Sequence, residues 1–170
     1  SEETPRYGIN FYHTPGHCPG QVCLQVDDIM LTADHVLGRI TPHQAPESIT
    51  MNMGLGHYLD SLTKLGRVPG IRLGLGGHEE PIPDVYGRIA EIKAAHDERL
   101  NKVLAICETP QTIAEVSQAL FGARHSYHVL LAIEEAGAHV EYLYQRGALV
   151  AANVAEIAAT RHPVIRYVRA

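Results

Sequence analysis

The hydrophobic residues of this chain change period near residue 84, and that change limits the folds open to it. From there Val85, Ile89, Ile92, His96, Leu100, Val103 and Cys107 step by three and four, the stripe of one long amphipathic helix. Before it, period two dominates. Ile9–Tyr12 reads as a strand; Val22, Leu24 and Val26 alternate with Cys23 and Gln25; and Asp27-Asp28 turns the chain into a second apolar run, Ile29–Thr32, making a hairpin. Ile71, Leu73 and Leu75 alternate again around Arg72 and Gly74. One helix interrupts these strands, carried by Leu55, Tyr58, Leu59, Leu62 and Leu65 and ended by Gly66. The chain therefore reads as α/β, with one domain over residues 1–83 and a second over residues 84–170.

In the second domain Thr112-Ile113-Ala114-Glu115 has the form of a capping box and opens a helix that runs to Phe121 and stops at Gly122. A third helical stretch runs from Ser126 to Arg146 before Gly147, and short apolar runs at Ala148–Val150 and Val164–Val168 follow. Three helices and then two strands is the order of a winged-helix domain.

Composition narrows the function classes. The chain has 170 residues, 45% of them hydrophobic, and a net charge of −5. No apolar run approaches the ~18 residues of a membrane span. Nucleic-acid affinity rests on basic residues facing phosphates, yet residues 108–146 hold five Glu against two Arg, a net of −3, so the helical domain is not expected to bind DNA. Three cysteines, an odd number without framework spacing, point to a reducing compartment, with the cytoplasm as default. Ser1-Glu2-Glu3-Thr4-Pro5 has neither the basic nor the apolar region of a signal peptide and reads as a cleavage boundary. Eleven histidines are the first functional lead.

Three polar residues stand in loops just past apolar, strand-like runs. His17 lies in His13-Thr14-Pro15-Gly16-His17-Cys18-Pro19-Gly20, Asp34 follows Ile29–Thr32, and His78 lies in Gly76-Gly77-His78-Glu79-Glu80-Pro81. Glycine and proline forbid regular structure there, and loops held by strands are common carriers of function. Imidazole and carboxylate together suit Zn(II), Fe(II) or Mn(II), and a carboxylate can bridge two ions. His35, beside Asp34, is a weaker candidate for contacting substrate.

Those segments, with Leu31-Thr32-Ala33-Asp34-His35-Val36-Leu37, resemble the later metal motifs of the metallo-β-lactamase-fold hydrolases. The run from Asp34 to Pro42 and the helix bearing His96 and Arg99 resemble the glyoxalase II-like and endoribonuclease-like branch with a C-terminal winged helix. The resemblance implies that residues 1–83 are the second half of an αββα sandwich. It implies that His17 completes a three-His site on one metal, that Asp34 bridges two divalent ions, most simply zinc with iron or manganese as alternatives, and that His78 binds the second. The family's His-x-His-x-Asp-His motif, which supplies the other ligands, does not occur in these 170 residues. Ala33 stands where the family usually has glycine.

By that resemblance the full-length protein would be a binuclear metal hydrolase, with metal-bound hydroxide attacking a small ester or a thioester of the glutathione or coenzyme A kind. The chain alone is expected to be inactive, its partners being the missing half of the fold and, as an option, a second copy in a homodimer. The alternatives are an endoribonuclease or phosphodiesterase of the same fold, and a non-catalytic interaction module with a vestigial metal site.

Overall fold

A computed structural model describes residues 8–170; the Ser1–Pro5 segment discussed above lies outside the described residues. The chain divides into two compact units between Ala95 and His96, inside a helix that begins one residue past the expected boundary at 84.

The first unit is built on a four-stranded sheet in the order β1-β2-β3-β4, formed by β1 (Ile9–His13), β2 (Val22–Val26), β3 (Ile29–Ala33) and β4 (Leu73–Gly76). β1 and β3 each pair antiparallel with β2, and β4 is parallel to β3. It follows that β1, β3 and β4 run the same way, and that the loops leaving their C-terminal ends share one end of the sheet. Those are the loops carrying His17, Asp34 and His78.

Period two sorts the side chains by face. Cys23, Met30 and Thr32 are fully buried on one face. The same core holds Leu55, Tyr58, Leu62 and Leu65 of α1 (Leu55–Leu65) and Val85, Ile89 and Ile92 of α2 (Val85–Ile106). Gly74 is required on that face, since a Cβ there would overlap Val85 and press on Ile82. The opposite face is also apolar. Its cross-strand rows are Ile9, Val26, Ile29, Leu73 and Phe11, Leu24, Leu31, Leu75. Here Phe11, Val22, Val26 and Leu31 are 36–40% exposed, so this face leaves apolar side chains open to solvent.

The second unit contains the C-terminal part of α2, then α3 (Ile113–Phe121), α4 (Tyr127–Gln145), β5 (Leu149–Ala151), α5 (Val154–Ala159) and β6 (Tyr167–Arg169). The capping box forms as the sequence predicts: Thr112 Oγ1 accepts the Glu115 amide at 3.2 Å, and the Glu115 carboxylate accepts the Thr112 amide at 2.7 Å. β5 and β6 pair antiparallel. The short helix α5 between them is absent from the sequence-based expectation; its Ala-rich segment has no buried residue and so carries no apolar stripe to announce it.

Candidate metal centre

Each loop of the first unit is fixed by its own contacts. Gly16, at φ 141°, lies against the backbone of Tyr58, so no side chain fits there, and Ser61 Oγ donates to the Pro15 carbonyl at 2.8 Å. This seats the loop bearing His17 on α1. His17 Nδ1 lies 2.8 Å from the carbonyl of His43; a carbonyl only accepts, so Nδ1 carries the proton and Nε2 keeps its lone pair. A ring held in this way is prepared to ligate through the other nitrogen.

Asp34 and His78 are brought together. His78 Nε2 stands 3.4 Å from Asp34 Oδ2, with the aspartate side chain 34% and the histidine 68% exposed. Close approach of the loops depends on Gly77, where a Cβ would collide with the Asp34 carboxylate, and the Gly77 amide donates to the Ala33 carbonyl at 2.8 Å. Ala33 takes φ 45°, the left-handed backbone that glycine adopts without penalty. Glu79, at φ 71°, turns back so that its carboxylate accepts the Arg39 amide at 2.7 Å. From α2, Arg88 donates to the carbonyls of Leu37 and Ile40 at 2.7 and 2.9 Å. The segment after Asp34 is thus clamped from two sides.

The spacing of Asp34 and His78 is compatible with two donors on one divalent ion. Two donors each about 2.1 Å from a tetrahedral ion stand about 3.4 Å apart, which is the Asp34–His78 separation and is longer than an ordinary charged hydrogen bond. The donor set, imidazole and carboxylate, suits zinc. His17 does not join Asp34 and His78 in a cluster with all donor atoms within 4.8 Å of one another; among the described residues that compactness belongs to His96, Glu135 and His139 in the second unit.

His35 does not reach out to the cleft. It is fully buried, edge-on to Tyr58 at 5.1 Å between ring centroids, and neither ring nitrogen has a hydrogen-bond partner among the described residues. Burial pushes its pKa down to about 4, with the Ser61 backbone opposing and nearby His17 adding to the shift. A cleft of about 310 Å³ does open beside these loops, lined by Gly38, Arg39, Glu80, Ile82, Asp84 and Arg88.

In the second unit His96 Nδ1 and His139 Nε2 are 3.0 Å apart, and both rings are fully buried. Desolvation lowers both pKa values, that of His96 to about 3. The sequence offers a signal for this cluster, the i, i+4 spacing of Glu135 and His139, but the partner His96 lies 39 positions before Glu135 and only folding joins them.

Comparison with known proteins agrees with this architecture. Residues 100–169 match the family described as metallo-beta-lactamase-like, C-terminal domain. A crystal structure of a metallo-beta-lactamase family protein from Thermus thermophilus is 30% identical, with a TM-score of 0.75 over 95% of this chain and 49% of that one. A beta-lactamase domain protein from Burkholderia ambifaria is 29% identical, with a TM-score of 0.81 over 95% of this chain and 48% of that one. The chain spans about half the length of these solved relatives. No curated protein matches it. No helix among the described residues is long and apolar enough to cross a membrane.

Proposed function

We propose that this chain is the metal-binding second half and the appended helical domain of a hydrolase built on the αββα metallo-β-lactamase sandwich. The observation that carries this reading is the Asp34–His78 pair, held 3.4 Å apart at the ends of the parallel strands β3 and β4. Two further observations support it: the apolar sheet face, which a second half of the fold would cover, and the chain's coverage of only half of each solved relative.

In this reading Asp34 would be shared by two divalent ions, with His78 holding one and His17 the other through Nε2; ions so held would supply activation of a water and of an ester or thioester carbonyl or a phosphoryl oxygen. The chain's own contribution is placement. His43 fixes the His17 tautomer, Gly77 admits the Asp34 carboxylate, and Glu79 with Arg88 holds the segment between. The cleft at Arg39 and Arg88 receives the substrate, for which a small ester or a thioester of the glutathione or coenzyme A kind is preferred over RNA on the acidic balance of the chain. The helical unit is read as a winged helix that packs rather than binds DNA, its two strands following the helices.

The test is made on the longer protein. Zinc content is measured with and without Asp34→Ala, and turnover is measured on thioesters, esters, lactones and single-stranded RNA. Bound metal and thioester turnover, both lost in Asp34→Ala, are expected. Absence of bound metal after reconstitution would leave a non-catalytic interaction module, and selective RNA cleavage would assign the phosphodiesterase chemistry.

A further inference from the structure

The second unit contains a cluster that the proposed hydrolase chemistry does not use. On α4, Glu135 and His139 are one turn apart and so project from the same face, and His96 of α2 meets them. All three offer a ligand atom within 4.8 Å of the other two. Both imidazoles are fully buried and Glu135 is nearly so.

The hydrogen bonds set the tautomers. His139 Nδ1 lies 2.7 Å from the Glu135 carbonyl, which can only accept, so the proton is on Nδ1 and Nε2 bears the lone pair. That lone pair faces His96 Nδ1 at 3.0 Å, so in the metal-free chain His96 supplies the proton between them. The carboxylate is oriented too: Arg99 Nη1 donates to Glu135 Oε1 at 2.6 Å, and a carboxylate has a second oxygen to offer. A histidine whose far nitrogen donates to a backbone carbonyl, beside a carboxylate fixed by its own hydrogen bond, is the support that metal ligands ordinarily receive.

We propose that His96 Nδ1, His139 Nε2 and the Glu135 carboxylate form a second divalent-metal site, separate from the loops of the first unit, that takes a borderline transition ion such as Zn(II). The ion displaces the proton from His96 Nδ1, and His96 stays a neutral imidazole by taking the tautomer with its proton on Nε2, so no net proton is released. Two nitrogens and one oxygen suit zinc or cobalt and are poor for calcium or magnesium, which take oxygen ligands. Water can fill a fourth position. The guanidinium of Arg99 stays on the carboxylate, so the ion sits beside a fixed positive charge and binds less tightly than the same three donors would alone. The site is structural: it ties α2 to α4 within the helical unit, and none of its ligands belongs to the proposed hydrolytic centre.

The test uses the 170-residue chain with Asp34→Ala and His78→Ala together, which removes the first-unit pair. Zn(II) is titrated while the histidine ring nitrogens are followed by two-bond ¹H–¹⁵N NMR, a readout that needs no further variant to fold. His96 Nδ1 and His139 Nε2 are expected to shift with saturation near one equivalent, and the thermal midpoint to rise by roughly 5–10 °C at a hundredfold excess over Kd. Co(II) in place of Zn(II) should give visible bands that Glu135→Gln weakens and His139→Leu removes. Ring resonances that do not move at millimolar Zn(II), or that move identically in Glu135→Gln, would show the cluster to be a hydrogen-bonded core pair and overturn the proposal. Because this background lacks Asp34 and His78, the outcome is independent of the hydrolase reading.

Discussion

The carboxylate of Glu79 accepts the Arg39 amide at 2.7 Å, linking the loop after β4 to the segment after β3. The residues on either side of this link, His78 and the Asp34 loop, are the ones that the proposed metal centre brings together. Glu79 maintains the link despite φ 71°, a backbone state that costs a non-glycine residue about 1–3 kcal/mol and that persists when the surroundings enforce it.

Glu79→Ala therefore removes a charged hydrogen bond and should lower stability by about 1 kcal/mol, at the low end because the carboxylate is exposed. Its larger effect should fall on metal retention at Asp34 and His78, measured as zinc content after dialysis. Glu79→Gln, which still accepts one amide, should recover part of it; equal retention in all three proteins would refute the positioning role.

Gly16→Ala places a Cβ into the backbone of Tyr58 at a φ of 141°. Overpacking and backbone strain together should cost at least about 2–3 kcal/mol in urea unfolding. Gly20→Ala is the control, since a Cβ there meets nothing within 4 Å and should change stability little.

The open sheet face predicts self-association. Phe11→Thr with Leu31→Thr keeps β-propensity while removing two exposed apolar side chains from one cross-strand row. The pair should lower the sedimentation-average mass of concentrated samples relative to the unmodified chain; an unchanged mass would mean that this face is not sticky.

Acid should unfold the metal-free protein early. His35 and His96 are held at about 4 and about 3 by burial, while the unfolded chain titrates them near 6.5. His96 also faces His139 and Arg99, which lower its pKa further, and Glu135, which opposes them. The unfolded state therefore binds more protons below pH 6.5, so the stability of the neutral rings is complete above that pH and falls as pH drops through 6 toward 4. At pH 5 the loss should be about 2 kcal/mol for each of the two residues, with His139 adding in the same direction. Urea midpoints at pH 7.5 and 5.0 in the presence of a chelator measure it; equal midpoints would contradict the burial of these rings.

Much of the architecture is legible in the sequence because it depends on local periodicity. The hairpin of β2 and β3 follows from alternation around Asp27-Asp28, α2 from its three-and-four stepping, and the start of α3 from Thr112 and Glu115, whose capping contacts span three residues. The helix α5 is not legible, because a six-residue exposed helix buries no stripe. Nor is the burial of His35: its position beside Asp34 suggests a substrate contact and gives no sign that the ring turns into the core against Tyr58.

By itself, then, the sequence determined the strands and the longer helices, α5 excepted, and which loops would carry His17, Asp34 and His78, since these rest on spacing within a dozen residues. Tertiary structure alone decided which of those side chains meet. Asp34 and His78 are 44 positions apart and come within 3.4 Å because β3 and β4 run parallel and Gly77 leaves room. His96 and His139 are 43 positions apart and meet at 3.0 Å, one from each of two helices. Contacts at that range depend on strand order and helix packing, which no local period encodes.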